Sequence, residues 1–333
     1  MRTRTLGRGG VEVPVTELGF GAAGIGNLFT PVRDDEAYAA VDAAWDAGVR
    51  YFDTAPHYGI GLSERRLGEY LRTRPSTSYT LSTKAGRILE PYDGGGDDLA
   101  HGFAVPASHR RVWDFSAAGV RRSIEDSLGR LGVDKIDVVY LHDPDDHAEQ
   151  AFGEAYPELE RLRGEGLVDA IGAGMNQARM LTRFVRDTDV DVVLCAGRYS
   201  LLDQRALPGL LPAAAARDVS VVIGGVFNSG LLADPKQGGT FDYALAPAEV
   251  VSRALKFKEL AERHGTTLRA AALAFPFGHP AVTGVLVGTR SAAEVIDTAE
   301  QFAAPVPAEF WAEARARNLL AADVPTPEQK ESA

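Results

Sequence analysis

The sequence has one cysteine in 333 residues and no long apolar run, and these two shortages exclude whole classes of protein. A single cysteine cannot close an intrachain disulfide, so a disulfide-stapled scaffold is excluded. Cys195 follows three apolar residues and has no base or cation beside it, which predicts a buried core thiol rather than a nucleophile. No apolar run approaches the roughly 18 residues that span a bilayer, and the N-terminus lacks the apolar segment of a secretion signal. We therefore expect a cytoplasmic protein with no membrane partner.

Positive charge is also scarce relative to negative charge. The chain has 35 lysines and arginines against 46 aspartates and glutamates, a formal net charge of −11. A surface that negative repels phosphate backbones, so we expect no nucleic-acid partner. Hydrophobic residues make up 45% of the chain, which is the content of an ordinary globular protein. We therefore expect a globular protein that acts on a small molecule, as a monomer or a small homo-oligomer.

Short β-branched apolar runs alternate with longer segments of helical period about eight times along the chain. This alternation predicts a parallel sheet with helical crossovers, and the chain length favours an α/β fold of the TIM type, a closed (β/α)₈ barrel. An open doubly wound sheet is disfavoured: Gly19, Gly21 and Gly24 have its glycine spacing, but the helix and acidic residue that should follow are missing. The predicted strands are 17–21, 49–53, 79–84, 136–142, 168–173, 190–195, 219–224 and 283–288. The predicted helices are 34–47, 116–131 with Ser116 as N-cap, 148–164, 177–187, 205–217, 248–263 and 291–301.

Three segments lie outside this alternation. Residues 1–16 are expected to form a small hairpin ahead of the barrel, within a single domain of residues 1–323. Residues 85–113 have no clear period and contain three successive glycines, and a loop of that length is typically an active-site lid or disordered. The polar residues 324–333 are expected to form a disordered tail.

Ionisable residues finish three successive predicted strands: Asp53 the second, Lys84 the third and His142 the fourth, with Tyr58 soon after Asp53. Taken alone, each has an ordinary role: Asp53 would cap a helix and Lys84 would be a solvated ammonium. His142 would be a satisfied polar group and Tyr58 a packed ring. Active sites of such barrels lie where the strands end, so their joint position favours one catalytic site. A tyrosine hydroxyl has a pKa near ~10 and is a poor base at neutral pH, but a nearby ammonium lowers that pKa. The pattern predicts a proton-transfer site in which Lys84, held by Asp53, activates Tyr58. His142 would hydrogen-bond the reacting oxygen.

One stretch of sequence around the second strand is highly distinctive. Residues 48–59 (GVRYFDTAPHYG), followed by Ser63 and Glu64, resemble the signature of the aldo-keto reductase family. The resemblance covers the chain from about residue 5 to residue 302 and implies a (β/α)₈ barrel with NAD(P)-dependent oxidoreductase activity. It also implies Tyr58 as general acid/base, with the other three strand-end residues as its partners. Further matching segments are residues 81–84, 123–132, 137–142 and 172–176.

The same resemblance implies a cofactor site. Asn176 matches the residue that hydrogen-bonds the nicotinamide carboxamide, and residues 226–232 resemble the loop over the cofactor diphosphate. Residues 288–291 match the region around the adenosine ribose, where backbone N–H groups and the helix dipole favour an anion. The expected cofactor residues are Gly21, Asn176, Tyr199, Phe227, Asn228, Ser229, Gly230, Leu232, Gly288, Thr289, Arg290 and Glu294.

The choice between NAD and NADP depends on Arg290 and its neighbours. Arg290 could bind a 2′-phosphate, but Glu294 adds repulsion and Val295 stands where strongly NADP-dependent relatives carry arginine. These residues favour NAD, with NADP as the alternative. No metal is expected, because carboxylates such as those beside His147 more often cap the next helix and the chemistry needs none.

Departures from the common family pattern point to one subgroup of the family. Ala196 replaces a frequent glutamine, Met175 replaces a serine before Asn176, and two glycines at 224–225 replace an aromatic residue that stacks on nicotinamide in many members. Together with residues 141–147 and 227–230, these departures resemble the aldose 1-dehydrogenases and the related pyridoxal 4-dehydrogenases. The resemblance implies oxidation of an aldose at C1 to a lactone. The substrate would contact His57, Trp113 and residues 85–113, although Trp113 suits core packing equally well.

Three alternatives stay open at this point. One is an NADPH-dependent reductase of aldehydes or ketones, and another is a pyridoxal 4-dehydrogenase. The third is a cofactor-binding regulatory subunit with little turnover, as in the potassium-channel β-subunits that share this fold. The presence of all four candidate catalytic residues, Asp53, Tyr58, Lys84 and His142, argues against the third.

Overall fold

Eight parallel strands close into a barrel in the computed structural model, which describes residues 1–327. Each barrel strand pairs with the next in chain order, and the last returns to the first through Val285 opposite Leu18. The predicted TIM-type barrel is therefore confirmed. Its strands are β1 (Leu18–Gly21), β2 (Tyr51–Asp53), β3 (Thr80–Ala85), β4 (Ile136–His142), β5 (Val168–Met175), β6 (Val192–Ala196), β7 (Ser220–Gly224) and β8 (Val282–Gly288).

Helices cover the outside of the barrel and bury one apolar face each against the strands. The expected N-cap at the start of the third helix is confirmed, because Ser116 Oγ accepts a hydrogen bond of 3.0 Å from the Gly119 N–H. The helices are α1 (Asp34–Asp46), α2 (Leu62–Leu71), α3 (Ala117–Leu131), α4 (Tyr156–Gly164), α5 (Ala178–Asp187), α6 (Leu210–Ala216), α7 (Ala248–Arg263), α8 (Leu268–Ala274), α9 (Ala292–Ala303) and α10 (Ala308–Ala316). Before α4 the chain forms a short helix, Ala148–Gln150, and a π-helical turn, Ala151–Ala155.

Helix α2, like α8 and α10, was absent from the sequence prediction. In α2 the buried face carries the charged Glu64 and Arg66 beside Leu67 and Leu71. Glu64 accepts hydrogen bonds from Thr83 and Arg130. Arg66 donates to the carbonyl oxygens of Ile25 and Val32, each at 2.7 Å. Buried charges that are satisfied in this way weaken the apolar periodicity by which a helix is recognised in a sequence.

The N-terminal end of the barrel is closed by a two-stranded hairpin. Thr3–Leu6 pairs antiparallel with Val13–Thr16. Leu6, Val13 and Val15 are buried in one cluster with side chains of the barrel interior. The opposite, carboxyl end of the strands is left open for a site.

Residues 85–113 form antiparallel pairs where a loop without regular structure was expected. Arg87–Pro91 pairs with His109–Trp113, and Asp97–Asp98 pairs with Phe103–Pro106. Leu89, Phe103 and Val105 bury themselves against Ile60 beside the rim of the barrel. This packing holds the segment over the carboxyl ends of the strands.

Two other expectations concern buried and terminal residues. Cys195 is buried in the main core as predicted, and burial raises the pKa of its thiol to about 12. Of the expected tail, Val324 is buried and its carbonyl oxygen accepts a hydrogen bond from Arg315. Residues 328–333 of that tail lie outside the described residues. Within residues 1–327, no helix is long and apolar enough to cross a membrane.

Candidate active site

The structure brings together the four ionisable residues at the strand ends. Asp53, Lys84 and His142 lie at or near the carboxyl ends of β2, β3 and β4, which are hydrogen-bonded neighbours in the barrel. Tyr58 reaches the same rim through a turn closed by a 3.1 Å hydrogen bond from its N–H to the Ala55 carbonyl oxygen. Parallel strands carry these groups to one rim because their carboxyl ends coincide.

Lys84 links Asp53 to Tyr58. Its Nζ lies 2.6 Å from Asp53 Oδ2 and 2.8 Å from the Thr54 carbonyl oxygen, and 4.7 Å from the centre of the Tyr58 ring. The Lys84 and Asp53 side chains are only 3% and 5% exposed, so solvent screens their attraction little. Burial lowers the pKa of Lys84, but the Asp53 carboxylate and the Tyr58 hydroxyl outweigh that effect and raise it. The ammonium group therefore stays charged at neutral pH.

Two opposing influences act on the Tyr58 hydroxyl. Burial raises its pKa, while the charge of the nearby Lys84 acts in the other direction. The net effect raises the pKa of Tyr58, so the phenol is protonated at neutral pH. Oxidation of an alcohol, which needs the phenolate, should accordingly be favoured at alkaline pH.

Two imidazoles complete the polar wall around Tyr58. The rings of His57 and His142 lie 5.7 Å apart, and His142 meets Tyr58 edge-on at 5.9 Å. Burial, followed by the charge of Arg87, lowers the pKa of His57 to about 2 and that of His142 well below its ordinary value. Both rings are therefore neutral, and each offers one N–H donor and one acceptor nitrogen.

A cavity of about 550 Å³ opens onto these groups. Tyr58, Lys84, His142 and Asn176 line it, as do both expected substrate residues, His57 and Trp113. Asp53 lies behind Lys84 and does not reach the cavity. Arg87 and Phe103, from the segment 85–113 that was expected to contact the substrate, also line the cavity, together with Asp143 and Tyr243, which were not expected there.

Arg87 and Asp143 form an ion pair on the wall of the cavity. The Arg87 guanidinium also lies 4.2 Å from the centre of the Trp113 ring. Asp143 has a left-handed backbone conformation, with φ at +46°, a strain that the surrounding contacts must hold in place. Asp143 directly follows the end of β4 and Arg87 lies two residues after the end of β3, a position that sequence reasoning could have used. Tyr243 comes from a distant loop and carries no such signal.

The acidic loop after β4 borders the cavity, where Asp145, Asp146 and His147 are lining residues. Asp145–His147 forms a single 3₁₀ turn before the next helix. The expected capping of the next helix is wrong, because neither this turn nor the short helix Ala148–Gln150 has a side-chain cap in the described chain. Among residues 1–327, no group of three or more histidine, cysteine, aspartate or glutamate side chains is arranged to hold a metal ion.

The residues expected at the cofactor fit a dinucleotide at several points. Gly21 faces Gly288 across β1 and β8, and a Cβ on Gly21 would lie 3.3 Å from the Gly288 nitrogen. Thr289 Oγ1 is buried without a hydrogen-bond partner among the described residues. Next to it, Ser291 caps α9, whose N-terminus favours an anion. Asn176 carries an amide to the cavity wall at the end of β5. These groups can hold a nicotinamide at the cavity and an adenosine end beside α9.

Other expected cofactor residues have different positions. Tyr199 is fully buried against Phe275 at 5.0 Å, and its hydroxyl has no partner within residues 1–327. Asn228 is buried and accepts a 2.6 Å hydrogen bond from Ser200 Oγ. Leu232 is buried in the core, and Phe227 packs against it from a half-buried position. Like Gly21 and Thr289, these four residues are not among those that line the cavity.

The loop of residues 226–232 has a constrained backbone. Asn228 and Ser229 have φ values of +46° and +56°, and Gly230 follows at +91°. Successive left-handed residues are costly unless surrounding contacts hold them. Ser229 provides one such contact, because its Oγ accepts a 3.1 Å hydrogen bond from the Tyr243 N–H. The loop thereby connects the expected diphosphate region to a residue of the cavity.

Comparison with known proteins bears on the family of the chain. The family model described as Aldo/keto reductase family matches residues 17–318. The chain belongs to the aldo/keto reductase family. It is therefore an oxidoreductase enzyme with a nicotinamide dinucleotide as cofactor, as the sequence resemblance implied.

Individual relatives cover nearly the whole chain. It is 46% identical over 324 residues to D-threo-aldose 1-dehydrogenase from a Pseudomonas species, covering 96% of this chain and 97% of that protein. It is 38% identical over 336 residues to pyridoxal 4-dehydrogenase from Microbacterium luteolum, with 95% and 97% covered. Among solved structures, an aldo-keto reductase from Bacillus halodurans in its holo form has 26% identity and a TM-score of 0.75, covering 97% of this chain and 98% of that one.

Proposed function

We propose that the protein catalyses the NAD-dependent oxidation of a small aldose at C1 to its lactone. The observation that carries this proposal is the Tyr58–Lys84–His142 arrangement on a cavity that also offers aromatic rings and a polar ion pair. The 46% identity to an aldose 1-dehydrogenase supports the choice of substrate class.

Proton transfer in this reaction is assigned to Tyr58. Its phenolate takes the proton of the C1 hydroxyl, and the Lys84 ammonium stabilises that phenolate. Asp53 holds Lys84 in place, 2.6 Å away. The neutral His142 hydrogen-bonds the reacting oxygen and orients it toward Tyr58. A bound nicotinamide, held through Asn176, supplies the acceptor for the hydrogen that leaves C1 with its electron pair.

The test of this proposal is a set of initial rates with NAD⁺ and NADP⁺. Fucose, threo-aldoses and pyridoxal are offered as substrates for oxidation, and a nitrobenzaldehyde for reduction, with the reduced cofactor followed by its absorbance. An aldose with the highest kcat/KM supports the proposal. The 38% identity to a pyridoxal 4-dehydrogenase makes pyridoxal oxidation the second candidate. Faster reduction of the aldehyde would reject both dehydrogenase assignments, and tight cofactor binding without turnover would indicate a regulatory subunit.

Trp113 is assigned to the sugar ring. Its side chain is 43% exposed on the cavity wall, a large apolar surface beside the polar Arg87–Asp143 pair, as a sugar requires. We expect Trp113→Ala to raise KM for the aldose by about tenfold with a smaller change in kcat, because ring packing stabilises bound substrate and transition state alike. Steady-state kinetics measure this split.

Tyr92 offers a matched control for that variant. It lies on the same segment, is also 43% exposed and is outside the cavity. Tyr92→Ala should leave KM unchanged. An equal rise of KM in both variants would show that the segment as a whole, rather than the Trp113 ring, determines substrate affinity.

The preference for NAD over NADP is assigned to the pairing of Arg290. Its Nε lies 3.0 Å from Glu294 Oε1, and its Nη1 donates to Thr30 Oγ1 at 3.1 Å. A 2′-phosphate would have to displace the Glu294 carboxylate from this guanidinium. Replacing Glu294 by glutamine should therefore raise the ratio of kcat/KM with NADP⁺ to that with NAD⁺ by about tenfold.

A second helical ion pair controls for a general effect of surface charge. Arg263 and Glu259 on α7 lie 2.9 Å apart with the same four-residue spacing, so Glu259→Gln removes one negative charge elsewhere. This control should leave the cofactor ratio unchanged. A ratio unaltered in Glu294→Gln would place the 2′-position away from Arg290.

A further inference from the structure

A row of buried hydroxyl groups lies beneath the rim of the barrel and ends on Asp53. The Tyr140 and Tyr51 hydroxyl oxygens are 2.9 Å apart, and Tyr51 lies 3.3 Å from Ser82 Oγ. Ser82 Oγ lies 2.7 Å from Asp53 Oδ1, the carboxylate oxygen that Lys84 does not contact. Tyr51, Ser82 and Tyr140 are all fully buried.

Which hydroxyl donates and which accepts in this row follows from the chemistry of its members. An ionised carboxylate can only accept, and a serine hydroxyl has a single proton. The shortest contact therefore has Ser82 donating to Asp53, which leaves Ser82 to accept from Tyr51 and Tyr51 to accept from Tyr140. Burial, followed by the neighbouring charge of Asp53, raises the pKa of Tyr51. Burial, followed by Tyr51, raises that of Tyr140. Both tyrosine hydroxyls therefore stay protonated across the pH range of an activity assay.

The far end of the row has no exit to solvent. Tyr51 and Tyr140 belong to the same buried apolar cluster as Leu6, Val13 and Val15 of the N-terminal hairpin. A chain of hydroxyls that ends among apolar side chains cannot deliver protons to water. The row therefore acts on the charge and position of Asp53, not as a conduit for protons.

We propose that Tyr51, Ser82 and Tyr140 are positioning residues that hold the Asp53 carboxylate and absorb part of its negative charge, so that Lys84 can stabilise the Tyr58 phenolate. This rests on the proposed proton transfer at Tyr58. The ionisable groups that face Asp53 are Lys84 and Tyr58 above it and the two tyrosines of the row below it. Hydrogen bonds donated along a row polarise one another, so each hydroxyl strengthens the next.

Removing a donor from this row should change the pH dependence of catalysis. With less of its charge absorbed, the Asp53 carboxylate draws the ammonium of Lys84 more strongly and opposes a second negative charge on Tyr58. We expect Ser82→Ala and Tyr51→Phe each to raise the pH midpoint of kcat for aldose oxidation by about half a unit to one unit. That shift corresponds to a loss of about threefold to tenfold in kcat at neutral pH. Ser82→Thr, which keeps the hydroxyl, should restore the midpoint.

Matched controls separate this effect from loss of packing. Ser123 is a buried serine on α3 whose hydroxyl has no hydrogen-bond partner among the described residues, and Tyr79 packs beside Phe52 outside the row. Ser123→Ala and Tyr79→Phe should leave the pH midpoint unchanged. Thermal unfolding of each variant reports its fold, and Tyr51→Phe, which preserves shape, carries the test if Ser82→Ala does not fold.

The outcomes distinguish this proposal from the one on which it rests. A uniform loss of kcat at every pH, with the midpoint unmoved in Ser82→Ala and Tyr51→Phe, would overturn the role of the row. A Ser82→Thr variant whose pH midpoint is not that of the wild type would also overturn the role of the row. If Tyr58→Phe keeps wild-type activity, the proton-transfer assignment itself fails, whatever the row variants show.

Discussion

Replacing Tyr58 by phenylalanine should lower kcat for aldose oxidation by about 10²-fold or more, the usual contribution of a positioned acid or base. The variant removes one oxygen and keeps the ring, which packs beside Phe103 at 6.1 Å and His142 at 5.9 Å. The buried Lys84–Asp53 pair also remains. The fold and the affinity for the dinucleotide should therefore be nearly unchanged while turnover is lost.

Steady-state rates, cofactor titration by quenching of protein fluorescence, and thermal unfolding together test this expectation. Tyr79→Phe serves as the control for loss of a tyrosine hydroxyl outside the cavity. If Tyr58→Phe keeps most of its activity, another group must carry the proton. Joint loss of cofactor affinity and turnover would instead indicate that the hydroxyl holds the dinucleotide.

Lys84→Met should reduce both stability and activity, for separate reasons. Taking away one partner of a buried ion pair leaves an uncompensated charge, which typically costs about 3–5 kcal/mol of the free energy of unfolding. The Tyr58 phenolate also loses its nearby cation, so oxidation should need a higher pH. The raised pKa of Lys84 means that the pair stabilises the fold fully at neutral pH, and that this contribution is lost only as pH rises through the raised value.

A double variant separates the two effects of Lys84. Asp53→Asn/Lys84→Met removes both charges, so denaturant unfolding at neutral pH should show most of the stability recovered. Activity should not recover, because the phenolate still lacks its cation. An unchanged pH profile in Lys84→Met would show that Lys84 does not tune Tyr58. A double variant as unstable as Lys84→Met would show that packing around the lysine side chain, rather than the buried charge, accounts for the lost stability.

The barrel could be predicted because its signals are local. The strands show as short β-branched runs, and the N-cap of α3 shows as Ser116 before an apolar periodicity. Helix α2 and the pairs within residues 85–113 could not be predicted in this way. In α2 the buried face carries Glu64 and Arg66, and in the segment after β3 the pairing joins residues some twenty positions apart.

Part of the candidate site followed from the same local reasoning. Asp53, Lys84 and His142 occupy the ends of successive strands, and parallel strands must end on a common rim. The sequence did not show that Arg87 pairs with Asp143, or that Tyr243 reaches the cavity from the loop after β7. Its assignment of Tyr199 to the cofactor stays a prediction, and the sequence did not show that this ring packs against Phe275.

The sequence by itself determined the order of the barrel strands, most of the helices and the residues that stand at the strand ends, because these are encoded within short windows of the chain. Only the tertiary structure decided which side chains meet inside the barrel. A repeat of two residues says which side chains of one strand share a face, but closure and register place Tyr51, Ser82 and Tyr140 in one row. Contacts between neighbouring strands depend on that alignment, which no single stretch of sequence contains.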